Sequence, residues 1–250
     1  MKKKILITLG WLVVWQLLAL LVGNKILLAG PAEVITALVR MAGEGQFWSS
    51  VLFTTGRILL GFFLGTALGI LLAAAAYKRE LLADILAPLL LVMKSVPVAA
   101  FVILLLIWIG SGNLSVAISF IVVFPIIYTN TLSGLRAADP KLTEMAFVFR
   151  IPKLSAVRYI YLPELYPYLS GAVSLALGMS WKAGIAAEVI GQPLGSVGNG
   201  LYRAKINLAT EELFAWTFVA VLLSFAFEKL ILYVIHRVGK ALHLKEGENA

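Results

Sequence analysis

Five ionisable side chains interrupt the long apolar runs of this chain: Arg57, Lys182, Glu188 and the pair Glu228–Lys229. Acid–base or nucleophilic chemistry inside an apolar medium needs such groups clustered, so that one holds or moves a proton for another. These five are scattered. There is no Cys, hence no thiol nucleophile and no thiolate metal site. The sequence has no HExxH, no Ser-His-Asp set that stands out and no GxxxxGK[ST] phosphate loop. The chain is therefore expected to have no catalytic residue, no metal site and no cofactor, and not to hydrolyse ATP. His236 and His243 fall in a basic C-terminal stretch, where solvation is the default. The set is thin for catalysis and more natural for a conduit.

The elements that carry these charges are spans. Of 250 residues, 61% are hydrophobic, and the mean hydropathy is +0.95. A soluble globular chain is nearer 45–50% apolar. A span needs about 20 apolar residues, and six runs qualify: 5–22, 51–77, 96–109, 114–132, 169–190 and 213–235. The third is short if Pro97 opens it; the apolar run 81–93 is then either an interfacial helix or half of a broken span. The first follows a Lys-rich start, lacks a small-residue cleavage site and reads as an uncleaved span. The fold class expected is an all-α polytopic membrane protein of six transmembrane helices, one domain over 1–250, with core spans at about 51–235. Span two carries Gly61, Gly65 and Gly69, spaced so that a second helix can approach closely.

The net charge of +8 lies in short flanks beside the runs, the membrane pattern rather than a nucleic-acid surface. Taking the N-terminus as inside puts Lys2, Lys3, Lys4, Lys78, Arg79, Lys94, Arg136, Lys141, Arg150, Lys153, Arg158, Arg237, Lys240 and Lys245 on the cytoplasmic side. Only Lys25, Arg40, Arg203 and Lys205 fall outside. Fourteen against four is a strong positive-inside bias, so both termini are expected in the cytoplasm of a multi-pass membrane protein. Two outer segments stand out. Residues 31–41 open on Pro and repeat apolar residues at helical spacing, which predicts an amphipathic surface helix. Residues 191–207 are Gly-rich and read as an irregular loop.

The cytoplasmic segment 139–167 is polar, basic and punctuated by prolines. Asp139 followed by Pro140 fits an N-cap and first helical position, so a short helix over 140–149 is expected, stopped or bent at Pro152. Residues 153–161 add a turn or two, and Pro163 leads into span five. Met145, Ala146, Phe147 and Phe149 would give this helix an apolar surface for a partner groove. An ordinary interfacial helix is the other reading of the same residues.

These residues resemble the permease subunits of bacterial ABC importers. The cytoplasmic signature of that family is Glu-Ala-Ala, a Gly a few residues on, then Ile-x-Leu-Pro. Here it reads Glu144-Met145-Ala146 and Ile160-Tyr161-Leu162-Pro163. Further landmarks resemble the nitrate, sulfonate, taurine and bicarbonate branch: Arg57 to Gly61, Lys94-Ser95-Val96-Pro97, Pro163 with Pro167, Gly171, Gly178 with Trp181, and Ala187-Glu188. The resemblance covers most of 50–235. Two positions depart from it: Met145 replaces an Ala, and Arg150 stands where the Gly belongs. Arg is costly at a positive φ, so the turn is expected through Pro152 instead.

The resemblance implies a type I importer permease in a bacterial or archaeal cytoplasmic membrane. Two permease copies, expected to be a homodimer, form the path. Two ABC ATPase subunits, which hold the ATP and Mg, dock on the 139–167 loops, and an extracytoplasmic solute-binding protein delivers a small solute. It assigns ATPase coupling to Glu144, Met145, Ala146, Phe147, Phe149, Arg150, Leu162 and Pro163. Lys182, Glu188, Trp181 and Arg57 are candidates for the path or its gate. Lys182 either faces the pore, where it would attract an anion such as a sulfonate or nitrate, or pairs elsewhere or snorkels. Glu188 is a gate residue, an interface residue or a partner for Arg57. A self-contained secondary transporter or channel is the alternative; it would make the cytoplasmic signature coincidental.

Overall fold

The computed structural model describes residues 2–241; His243 and Lys245, assigned above to the basic tail, lie outside them. The order is α1 (Lys2–Val22), α2 (Pro31–Ala42), α3 (Gly45–Lys78), α4 (Glu80–Ser95), α5 (Val98–Ile109), α6 (Leu114–Arg136), α7 (Pro140–Val148), α8 (Lys153–Ala156), a π turn at Val157–Tyr161, α9 (Leu162–Gly191), α10 (Val197–Ile206) and α11 (Thr210–Ala241). Among the described residues, four helices are long and apolar enough to cross a membrane: Gly45–Lys78, Leu114–Arg136, Lys153–Gly191 and Thr210–Lys240.

The expected third span is broken rather than short. α4 and α5 qualify only as a pair, bent by 104°. Val96 is extended at the corner, with φ −75° and ψ 129°, because a residue before proline is pushed out of the helical region. The expected first span is a shorter apolar helix, Leu6–Val22. The chain is thus an all-helical, multi-pass membrane protein.

α3, α6 and α9 form the centre. α3 and α6 run side by side in the same direction along the glycine seam. A Cβ on Gly61 would meet the Val116 carbonyl oxygen; one on Gly65 would sit 3.0 Å from Val123 Cβ, and one on Gly69 3.1 Å from Ile127 Cβ. Without hydrophobic drive between helices in lipid, such close backbone approach supplies the dispersion contacts that hold them. α9 runs the opposite way, and Gly184 lets Ile58 of α3 pack against it. Phe62, Val123, Ile127, Ala172, Val173, Ala176 and Leu177 close the core where the three helices meet.

At the end where α9 finishes, α2 lies on the bundle. Pro31 opens it, and Glu33 accepts a hydrogen bond from the Gly30 N–H (2.8 Å). That bond holds the Glu33 carboxyl below the ordinary carboxylate range. Val34, Ala37 and Met41 are buried against Phe47, Val51, Trp216 and Val219. The apolar face of α2 therefore packs on protein.

The Gly-rich outer segment is not an irregular loop. Residues 192–196 are non-helical, and α10 then takes up the rest as far as Ile206. Ser196 caps it, its Oγ accepting from the Asn199 N–H (2.9 Å). Gly198 and Gly200 lower helix propensity, but both are sites of close packing: a Cβ on Gly198 would collide with Glu188, and one on Gly200 with the Trp216 ring (2.6 Å). His236 also moves out of a solvated tail; it lies within α11, its Nδ1 2.6 Å from the Leu232 carbonyl.

Candidate functional site

The segment joining α6 to α9 is a capped helix held out from the bundle. Asp139 is its N-cap, the carboxylate accepting from the Lys141 N–H (2.8 Å), and Pro140 is its first residue. This matches the Asp-Pro reading. The helix ends at Val148, before Pro152, and the turn is made at Arg150 itself, which adopts φ +48°. The expectation of a turn through Pro152 is overturned.

The Arg150 N–H donates to the Phe147 carbonyl (3.1 Å), and the Ile151 N–H donates back to the Ala146 carbonyl (2.9 Å). These are the two bonds of a Schellman motif, which uses up otherwise orphaned carbonyls at a helix end. Two backbone bonds hold an arginine in the conformation usually given to glycine, at a steric cost of roughly 1–2 kcal/mol.

Beyond Pro152 the chain is helical without a break to Gly191. Within it lies the π turn, closed by the Leu162 N–H to the Val157 carbonyl. Pro163 gives the reason. Its ring crowds the carbonyl four residues back and it donates no hydrogen bond, and a widened turn just before it relieves the crowding. The polar segment is thus coupled to the fifth span through one turn at Arg150.

Phe147 is 85% exposed, Phe149 75% and Leu154 82%, with Leu142, Met145 and Val148 also open. Glu144 and Arg150 are exposed as well. Ala146 is different: it is buried. Leu162 and Pro163 are half-buried and tie the segment to α9. Leu142, Val148 and Leu154 belong to the exposed surface and were missed, because a short segment between two proline punctuations has too little periodicity to mark a face.

The candidate path residues divide in two. Glu188 is fully buried and Trp181 is 1% exposed, its indole stacked on Phe227 with centroids 5.6 Å apart. Glu188 Oε2 accepts from Thr54 Oγ1 (2.7 Å) and from the Gly198 N–H (3.2 Å). Thr54 Oγ1 in turn accepts from the Val197 N–H (2.9 Å). The buried Ser115 side chain of α6 lies beside the same carboxylate. The Glu188 carboxylate therefore sits on the N-terminus of α10, where free N–H groups and the helix dipole favour negative charge. It clasps α3, α9 and α10 together.

Arg57 does not reach Glu188 as an ion pair. It donates to Asn113 Oδ1 (2.8 Å) and lies over the Phe53 ring, 4.2 Å from its centroid. The ion pairs among the described residues are Lys25–Glu33 (3.4 Å) and Arg40–Glu212, both at the α10 end. Glu228 is held within the bundle, accepting from Ser174 Oγ (2.8 Å).

Lys182 faces outward. It lies on the one open strip of α9, with Gly171, Leu175, Met179 and Ala186. A Cβ on Gly171 or Gly178 would meet nothing within 4 Å. A lysine there, well inside a membrane-spanning helix, would cost about 2.5–3.5 kcal/mol against lipid.

The family model for the "binding-protein-dependent transport system inner membrane component" matches residues 65–240. A putative aliphatic sulfonates transport permease of Bacillus subtilis is 29% identical over 208 residues, 81% of this chain and 74% of that protein. The taurine transport system permease of Escherichia coli is 23% identical, covering 91% and 86%. The nitrate import permease of Synechococcus elongatus is 23% identical, covering 90% and 85%. Among solved structures, a chain of the inward-facing methionine ABC transporter MetNI superposes with a TM-score of 0.54 at 18% identity, over 80% of this chain and 97% of that one.

Proposed function

Because the chain belongs to the family of binding-protein-dependent transport system inner membrane components, we propose that its two unlike ends divide the work of an importer between them. The chain is the permease subunit of an ABC importer, a transport subunit rather than a catalytic one. Its α7 end is the coupling end. A separate ABC ATPase receives Met145, Phe147 and Phe149, with Glu144 and Arg150 as polar contacts, and ATP and Mg act on that partner. The observation that carries this reading is the exposed Phe147–Phe149 surface on a capped helix, one turn from a helix that continues to Gly191. A motion imposed on α7 then reaches the membrane span, as alternating access requires.

The 14-to-4 distribution of basic residues supports a cytoplasmic α7 end and cytoplasmic termini. The α2/α10 end then faces the extracytoplasmic binding protein. The open strip of α9 is the path face: a second copy of the chain packs across it, and Lys182 meets water and solute there rather than lipid. A cation on that wall suits a small anion, in keeping with relatives named for sulfonates, taurine and nitrate. Glu188 and Trp181 act through packing, holding the strip in place.

The test is reconstitution in proteoliposomes with the ATPase and binding protein. Uptake is expected to need ATP and to be lost in Phe147→Asp while the chain still folds. Full uptake by Phe147→Asp, or uptake by the permease without an ATPase, would contradict the reading.

A further inference from the structure

Arg150 is a strained residue whose charge has no carboxylate partner among the described residues. Its φ of +48° is one that glycine adopts freely and arginine does not. Strain held at an exposed site is a pointer to function. Strain alone does not single it out, since Gln192 and Leu208 also have positive φ, and Leu208 closes α10 with the same pair of hydrogen bonds. What distinguishes Arg150 is charge. It is exposed, and among the described residues no carboxylate pairs with it. Lys153, three residues on, is exposed and has no ion pair among the described residues, and Arg158 lies 5.6 Å from the Tyr159 ring centroid. Three cations therefore lie between Phe149 and Pro163, in the same stretch of chain as the exposed Phe147, Phe149 and Leu154. Glu144 lies before this stretch and Glu164 after it.

We infer that the ATPase cleft receiving α7 has an acidic rim beside an apolar floor, and that Arg150 with Lys153 reads that rim and sets which ATPase is accepted. The inference rests on the coupling role of α7 and adds the chemistry of the partner. Rim charges govern association rate and salt dependence more than total affinity, and reject partners of the wrong sign. A Gly at 150 would make the better turn and the less selective dock.

The experiment uses the full-length permease in nanodiscs of neutral lipid and its ATPase subunit, with affinity measured from low to high salt. Arg150→Gly keeps or improves the turn, so misfolding does not explain a loss. It is expected to weaken binding about fivefold at low salt, with a shallower salt dependence, while hydrogen exchange at 149–151 slows. Arg150→Glu is expected to lose about tenfold more. Phe147→Asp is the control for docking itself. If Arg150→Gly binds like the parent with the same salt slope while Phe147→Asp fails to bind, the acidic rim is refuted and the docking role stands. If neither variant loses affinity, the coupling role falls too. A loss seen only in nanodiscs of anionic lipid would also overturn the inference, assigning the cations to lipid headgroups.

Discussion

The α10 end and the α7 end treat the same kinds of residue in opposite ways. At the α10 end a carboxylate, a threonine and the first N–H groups of a helix bond to one another inside the chain, around the fully buried Glu188. Two ion pairs close there as well, Arg40–Glu212 and Lys25–Glu33. At the α7 end two phenylalanines and two leucines lie open, and Glu144, Arg150 and Lys153 have no ion-pair partner among the described residues. The first end bonds its central carboxylate within one subunit. The second takes its order from caps and backbone bonds and leaves its large side chains open.

The largest break in this comparison is Glu188→Ala. It strands the Gly198 N–H and the Thr54 hydroxyl in a dry interior, and each buried unsatisfied group costs about 1–3 kcal/mol. Thermal melting of the detergent-solubilised chain should show a loss of about 3 kcal/mol. Glu188→Gln keeps an acceptor for the same donors and should lose less than half as much. Next is the double change Phe147→Asp, Phe149→Asp. It should leave melting unchanged but weaken ATPase binding about a hundredfold in a pull-down titration, as removal of two exposed aromatic anchors does. Third is Lys182→Gln, which should lower anion uptake by about tenfold with melting and ATPase binding intact; equal uptake would take Lys182 off the path. The smallest is Arg150→Gly, which relieves a left-handed arginine and should slow hydrogen exchange at the end of α7 by about 1 kcal/mol.

The sequence made some of this architecture legible and hid the rest for definite reasons. Spans two, four, five and six are long apolar runs, and length alone marks them. Gly61, Gly65 and Gly69 announced a close helix partner, and α6 is that partner. Asp139-Pro140 announced the start of α7 because capping is local chemistry. α10 was hidden because Gly198 and Gly200 look like loop residues until Glu188 and Trp216 are seen against them. The signal was present in Ser196 as a cap and in Val197, Leu201 and Ala204 at helical spacing. The Glu188–Thr54 bond joins residues 134 positions apart, which no local pattern encodes. The turn at Arg150 was misread because propensity was allowed to outweigh the two backbone hydrogen bonds that hold it.

The central claim, that the two ends face different partners, is open to one direct measurement. The chain has no cysteine, so single cysteines can be placed at Phe147 and at Leu194, both exposed, one at each end. A short bifunctional cross-linker applied to the assembled transporter should join Phe147→Cys to the ATPase, with a yield that changes on adding nucleotide. It should leave Leu194→Cys unlinked to that subunit. Equal linkage at both positions, or none at Phe147→Cys in an assembly that still imports, would contradict the account.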